Sequence, residues 1–256
     1  MGRRLGQHFL RPAAVERLLR LIDPRPDQPF LEIGPGKGAL TLPLAERAER
    51  VVAVELDPRL ATDLQERNSA RLTVVTGDAL HVDLEALVPK GSRLVGNLPY
   101  YVSSPLLRRF LDLRSHVTDM HVMLQAEVAR RVASPPGTRE CGILSVLFAA
   151  WAQVDMPVWF PPSAFVPAPK VFSAILRARF LSPPPVEVDD PHDFARLVKT
   201  AFTHRRRTLE NNLRDSYPNL KENLRLLNIE GSRRAETLSV VEFARLSRAL
   251  RRAMPA

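Results

Sequence analysis

The chain reads as an α/β protein, a parallel sheet interleaved with helices, followed by a small all-α domain at its C-terminal end. Three observations predict this. Short apolar runs alternate with helical periodicity from residue 15 to residue 133, a pattern that sandwiches buried strands between crossover helices. The first of those runs ends in a glycine-rich turn, Glu32-Ile33-Gly34-Pro35-Gly36-Lys37-Gly38. After residue 190 the pattern is helical only.

A helix is expected over 15–22, where Val15, Leu18, Leu19 and Ile22 share one face, and the proline-rich segment 23–29 stops it. Phe30-Leu31-Glu32-Ile33 is a short buried strand feeding the glycine turn, and 39–48 is the helix after it. Val51-Val52-Ala53-Val54-Glu55 is a second strand with an acidic end. Residues 60–67 read as helix and 72–75 as a third strand, with Gly77-Asp78 as its terminal turn. A fourth strand over 93–96 ends at Asn97. Strands and helices in this alternation imply parallel pairing with right-handed crossovers. Next come a helix over 105–113, a strand over 120–125, a helix over 126–133 and a loop at Pro135-Pro136-Gly137. Residues 143–151 suit a buried helix, and Trp151 and Trp159 are assigned to the core. The proline-rich stretch 161–170 predicts an extended loop without regular structure, and 171–180 a last strand.

Pro183-Pro184-Pro185 marks a linker, so the expected organisation is a large domain over 1–182, a linker over 183–190 and a basic helical domain over 191–256. Net charge is +9, of which 191–256 carry +7, with 14 Lys+Arg against 7 Asp+Glu. Genome composition can put arginine in place of lysine, and 32 of the 37 basic residues are Arg, but it does not gather charge at one end. A basic appendage on a near-neutral body points to a polyanionic partner. Cys141 is the only cysteine, which excludes an intrachain disulfide and a cysteine-based metal site. The start lacks an apolar signal core, Gly6 stands where a myristoylation motif needs Ser or Thr, and the most apolar stretch, 143–152, is too short to span a bilayer. A soluble cytoplasmic protein with no membrane partner is expected. Nothing suggests an extensive interface, so a monomer is expected too.

In a parallel sheet, ligands bind beyond the carboxyl ends of the strands, and each candidate residue falls at such an end. Gly34 and Gly36 let the backbone turn tightly and approach a ligand closely. Glu55, twenty-one residues after Gly34, is placed to accept from two ribose hydroxyls, and Asp78 from an adenine amino group. The spacing is Gly-x-Gly-x-Gly, not the Gly-x-Gly-x-x-Gly of dinucleotide binders. A pyrophosphate favours cations, whereas Glu32 precedes this turn. A carboxylate there suits an amine and a sulfonium, which favours S-adenosylmethionine over NAD.

Asn97-Leu98-Pro99-Tyr100 follows the fourth strand. An adenine amine is a poor nucleophile because its lone pair is delocalised into the ring. Two acceptors on its hydrogens, the Asn97 side-chain carbonyl and the Leu98 backbone carbonyl, would help it pyramidalise as it attacks a methyl group. Pro99 would fix the turn that aims both, and Tyr100 would stack on the base. Phe165, in the proline-stiffened loop, is a candidate for the other face of the base; a core position suits it equally well on spacing alone. No metal is called for.

The chain resembles the KsgA-type ribosomal RNA small-subunit adenine dimethyltransferases over essentially its whole length. The matching stretches are Gly6-Gln7-His8-Phe9-Leu10, residues 32–38, Val54-Glu55-Leu56-Asp57, Gly77-Asp78-Ala79, residues 96–100, 123–128 and 161–173, and Arg205-Arg206-Arg207-Thr208-Leu209. The resemblance implies a Rossmann-like class I methyltransferase domain over 1–182. It places the S-adenosylmethionine contacts on His8, Leu10, Gly34, Glu55, Asp78 and Asn97, and catalysis on Asn97, Leu98, Pro99 and Tyr100 with Phe165 beside the base. The implied substrate is a pair of adjacent adenosines in a hairpin loop near the 3′ end of small-subunit (16S) rRNA, each converted to N6,N6-dimethyladenosine in the assembling 30S particle. A checkpoint role in small-subunit assembly is implied as well. Two positions depart from the family: His8 and Tyr101 stand where Asn is common.

Arg205, Arg206 and Arg207 form the densest basic run and are the leading candidates for RNA phosphates; Arg233, Arg234 and a further set from Arg245 onward add to the charge. Two rivals stand beside the main reading. An Erm-type enzyme would dimethylate a large-subunit adenosine, and a non-catalytic assembly factor on the same fold would bind without reacting. The intact set Glu55, Asp78, Asn97 and Tyr100 speaks against the second. A DNA adenine methyltransferase is disfavoured because no sequence-reading module is recognisable.

Overall fold

The computed structural model describes residues 8–67 and 69–252; Gly6 and Gln7 of the N-terminal motif, and the segment before them, lie outside the described residues. Two compact units emerge. One comprises the chain up to Ala129 together with Asp155–Phe180, the other Arg130–Val154 together with the chain from Leu181 onward.

The first unit begins with β1 (Phe9–Leu10) and α1 (Pro12–Ile22). Pro12 suits the first helical turn, where its missing N–H costs nothing, and Asp23 closes the helix in a left-handed conformation with its N–H on the Leu19 carbonyl. Its apolar face is buried as the periodicity predicts, through Ala14, Val15, Leu18, Leu19 and Ile22. Three parallel strands follow, β2 (Pro29–Ile33), β3 (Arg50–Glu55) and β4 (Leu72–Thr76), linked by α2 (Thr41–Ala45) and α3 (Pro58–Gln65). After α4 (Leu84–Leu87) the chain returns to pair β5 (Ser92–Asn97) with the free side of β2. The order reverses there, so the carboxyl ends of β2 and β5 diverge into a crevice. The close pairing of β2 and β5 requires Gly96, where a Cβ would lie 2.8 Å from the Ile33 carbonyl oxygen.

Then come α5 (Ser103–Asp112), β6 (Val117–Gln125), α6 (Ala126–Ala133), α7 (Ile143–Ala149), β7 (Ala152–Phe160), β8 (Phe165–Val166) and β9 (Ser173–Phe180). The large sheet has the order β4-β3-β2-β5-β6-β9-β7, and β1 pairs antiparallel with β8 in a separate ribbon. The parallel pairing expected from the alternation of strands and helices holds from β4 through β6, and beyond it β9 runs antiparallel to β6. The link from β7 to β9 holds a single 3-10 turn and the short β8, with no helix for a parallel crossover.

Other expectations are corrected by particular residues. The helix expected over 39–48 shrinks to α2, because turns take up 36–40 and Pro43 removes a backbone donor. The loop expected over 161–170 contains β8, and β7 precedes it where no strand is expected. Its Pro157 is tolerated because β7 stands at the end of the sheet order, where no ladder needs that N–H. Trp159, assigned to the core, is 38% exposed on β7, and Trp151 is only partly buried.

The second unit is helical among its described residues, apart from the first residues of β7. It holds α7, α8 (Pro191–Ala201), α9 (Leu209–Leu213), α10 (Leu220–Leu226) and α11 (Val240–Arg252). Phe194, Leu197, Leu213, Phe243 and Leu246 form its core, with Phe202 stacked on Phe243. Its limits differ from the expected 191–256. Residues 130–154 belong to it because α7 packs on α8 and the Gly137 N–H bonds the Glu236 carbonyl. The proline-rich linker is held there too, since Arg248 pairs with Glu187 and Asp189.

Candidate active site

The crevice between β2 and β5 opens into a pocket enclosing about 1250 Å³, its solvent mouth included. Its wall is built from strand ends. Gly34 and Gly36 follow β2, Glu55 ends β3, Asp78 follows β4, and Asn97 ends β5. His8 and Leu10, flanking the start of β1, close one side. The structure therefore brings together every residue expected at the cofactor site, although they span ninety positions of sequence.

The turn after β2 explains its glycines. Gly34 and Gly36 adopt φ of 71° and 58°, and a Cβ on Gly36 would come within 3.0 Å of the Phe9 ring. The Gly36 N–H donates to Glu55 Oε2 and the Asp57 N–H to Oε1, each at 2.9 Å. Glu55 is 3% exposed and thus held rigidly, with lone pairs left for a ligand's hydroxyls. Asp78 accepts from the Leu80 N–H through Oδ1. Its other oxygen lies 3.9 Å from the exposed His81 ring.

Glu32 is the strongest electrostatic feature. It is fully buried in β2 and lines the pocket, and its Oε2 has no hydrogen-bond partner. Burial pushes its carboxyl up to about 7, the Thr41 hydroxyl opposes this, and the Glu55 carboxylate adds to it. Two buried carboxylates on one pocket, one of them with an unpartnered oxygen, favour a cationic ligand. Sequence reasoning gave Glu32 this electrostatic role through its place before the glycine turn but left it out of the ligand contacts.

The turn that follows β5 is equally well fixed. Asn97 Nδ2 donates to the His8 carbonyl at 2.8 Å. A carbonyl only accepts, so this bond sets the amide orientation and leaves Oδ1 as the acceptor on the other side. The Leu98 N–H bonds the Met123 carbonyl, and Pro99 leads into a 3-10 turn over Tyr100–Val102. Tyr100 is anchored through its hydroxyl to Ser173 Oγ at 2.9 Å, and one face of its ring stacks on His8. His8 is itself held through Nδ1 to the Pro167 carbonyl. Its side chain thus supports Tyr100 and its carbonyl supports Asn97, which sequence reasoning did not foresee. Ser173 ends the stretch 161–173 that carries the resemblance, and no feature of the sequence singles it out.

Two expected residues lie elsewhere. Phe165 is 2% exposed and sits in the core with Leu10, Val15, Leu18 and Phe160, not on the pocket wall. Pairing of β8 with β1 sets Leu10 opposite Phe165 and turns the ring inward. In the second unit, Arg205 Nη2 donates to the Arg139 and Cys141 carbonyls at 2.8 and 3.1 Å, so this guanidinium fastens a loop. Arg206 and Arg207 are exposed. Several other arginines are neutralised within the unit, Arg233 by Glu242, Arg248 by Asp189 and Arg251 by Asp190 and Asp193.

Residues 2–252 match the family model described as ribosomal RNA adenine dimethylase. The chain is 46% identical to the ribosomal RNA small subunit methyltransferase A of Geobacter metallireducens, over 96% of this chain and 94% of that one. It is 43% identical to the protein of the same name from Anaeromyxobacter dehalogenans, over 96% and 92%. Among solved structures, the 23S rRNA methyltransferase ErmE superposes with a TM-score of 0.72 at 28% identity, covering 95% of this chain and 99% of that one. A dimethyladenosine transferase from Plasmodium falciparum superposes with a TM-score of 0.78 at 22% identity over 93% and 96%, which speaks for the fold alone.

Proposed function

Because the chain belongs to the ribosomal RNA adenine dimethylase family, we propose that it converts two adjacent adenosines in the 3′-terminal hairpin loop of small-subunit rRNA to N6,N6-dimethyladenosine, with S-adenosylmethionine as methyl donor. The observation that carries the chemistry is the Asn97 amide. With Nδ2 committed to the His8 carbonyl, Oδ1 is the atom available to accept from an adenine amino group.

The pocket suits the donor. Glu32, with an unpartnered buried oxygen, is matched to a cationic amino acid moiety, Glu55 to the ribose hydroxyls and Asp78 to the adenine amine. When bound, S-adenosylmethionine supplies a methyl group made electrophilic by the sulfonium that leaves as a neutral thioether. Asn97 Oδ1 and the Leu98 carbonyl each accept one hydrogen of the substrate amine and turn its lone pair out of the ring plane. Tyr100, fixed by Ser173 and His8, offers the remaining face of its ring to the base. Each transfer leaves the nitrogen cationic until it releases a proton to water; after the first a single N–H remains, and one of the two acceptors suffices for the second. Arg206 and Arg207 are proposed to contact phosphates, while Arg205 holds the loop that presents them.

The relatives at 40–46% identity are named for the small subunit, whereas the likeness to a large-subunit enzyme is 28%, and this favours the small-subunit substrate. The same reading takes the assembling 30S particle as the partner, met in the cytoplasm by a single chain. Among the described residues no helix is long and apolar enough to cross a membrane. Incubation with labelled S-adenosylmethionine and either unmodified small subunits or large subunits tests the choice. Label is expected in the small subunit; label confined to the large one would reverse it.

A further inference from the structure

With Phe165 in the core, the pocket lacks the second aromatic platform expected beside the target base. Tyr101 is the aromatic residue at the pocket wall that is also largely exposed, at 63%. It follows Tyr100 in the 3-10 turn over Tyr100–Val102, where successive side chains diverge by about a third of a turn. The two rings therefore point differently. Tyr100 is tied to Ser173 and His8, and no ring contact or hydrogen bond of the Tyr101 side chain occurs among the described residues. An exposed tyrosine at the mouth of a base-modifying site leaves a large apolar ring in water unless a substrate covers it, and a nucleobase presents a matching π-face whatever its sequence.

We propose that Tyr101 is a substrate-contacting residue that stacks on the nucleobase adjacent to the one being methylated, holding the neighbour while Tyr100 receives the target. This rests on the rRNA dimethyltransferase reading and names a contact within the same site. Because the substrate has two adjacent adenosines, whichever is not in the pocket would be the occupant of the Tyr101 ring.

The test is steady-state methylation of unmodified small subunits by Tyr101→Ala, Tyr101→Leu and Tyr101→Phe variants, with S-adenosylmethionine affinity measured in parallel. Stacking on a base outside the reacting centre adds binding common to ground and transition states, so its loss raises KM and spares kcat. The expected result is a KM for the particle raised roughly tenfold in the Ala and Leu variants, restored by Phe, with cofactor affinity unchanged. Particles carrying a pyrimidine beside a single target adenosine should show a smaller penalty, because the stack they lose is weaker. A wild-type KM in Tyr101→Ala, or a defect in kcat or cofactor affinity alone, would overturn the proposal. Failure of the wild-type protein to methylate the particles would overturn the functional reading itself.

Discussion

Replacing Asn97 by alanine separates the positioning account from a merely structural one. The substitution removes the Oδ1 acceptor and the 2.8 Å bond from Nδ2 to the His8 carbonyl. The structural loss is small, because a partly exposed hydrogen bond contributes about 1 kcal/mol net, which in a chain of this size lowers Tm by about 2–4 °C. The catalytic loss should be larger. Removing one preorganised partner of a reacting group elsewhere costs about 3 kcal/mol, or roughly a hundredfold in kcat. The assay is single-turnover methyl transfer to unmodified small subunits, with cofactor affinity measured by calorimetry. Transfer should slow about a hundredfold, with cofactor affinity reduced far less, by no more than about tenfold, because Asn97 is one of six expected cofactor contacts and the other five stay in place. Asn97→Asp is the control: it keeps the size but faces the His8 carbonyl with an acceptor, so it should lose both the bond and the aim. Transfer by either variant within about threefold of wild type would exclude amine positioning by Asn97.

Glu32 sets a pH dependence. Its folded-state carboxyl titrates near 7, above its ordinary value of 4.5, so stability is fullest below about 4.5 and falls, by roughly 3 kcal/mol at most, as pH rises towards 7. A cationic ligand favours the ionised form, so affinity should rise as pH climbs through about 7 and then level, whereas Glu32→Gln should bind more weakly with a flat profile; a sloping profile in that variant would count against the assignment. Phe165→Ala should lower stability by about 3–5 kcal/mol through a cavity in the core, and its denaturant midpoint should fall even with substrate absent. In the second unit, Arg206→Ala with Arg207→Ala should weaken rRNA binding and flatten its salt dependence, while Arg205→Ala should mainly lower Tm; equal salt slopes in the double variant and wild type would exclude the phosphate contacts.

Strands β2, β3 and β5 were legible because strands buried on both faces read as continuous apolar runs, and their ends carry Gly34, Glu55 and Asn97 into the site by topology alone. Strand β7 was not, since an edge strand with Gln153, Asp155 and Pro157 lacks that signature. Phe165 was ambiguous for a different reason. A proline-rich sequence says nothing of which way a ring turns, and the pairing of β8 with β1 decided it. Likewise a run of arginines does not reveal that Arg205 meets two carbonyls contributed by residues more than sixty positions earlier. Recruitment of 130–154 into the second unit is also tertiary, and no local composition marks it.

The identity of the product decides what this pocket does. Small subunits lacking the modification, incubated with the purified protein and labelled S-adenosylmethionine, would be digested to nucleosides and the labelled positions mapped on the rRNA. Label is expected in N6,N6-dimethyladenosine at two adjacent positions near the 3′ end. Label in another nucleoside, or none while the particle is bound tightly, would contradict it and leave an RNA-binding factor with an unused methyltransferase pocket.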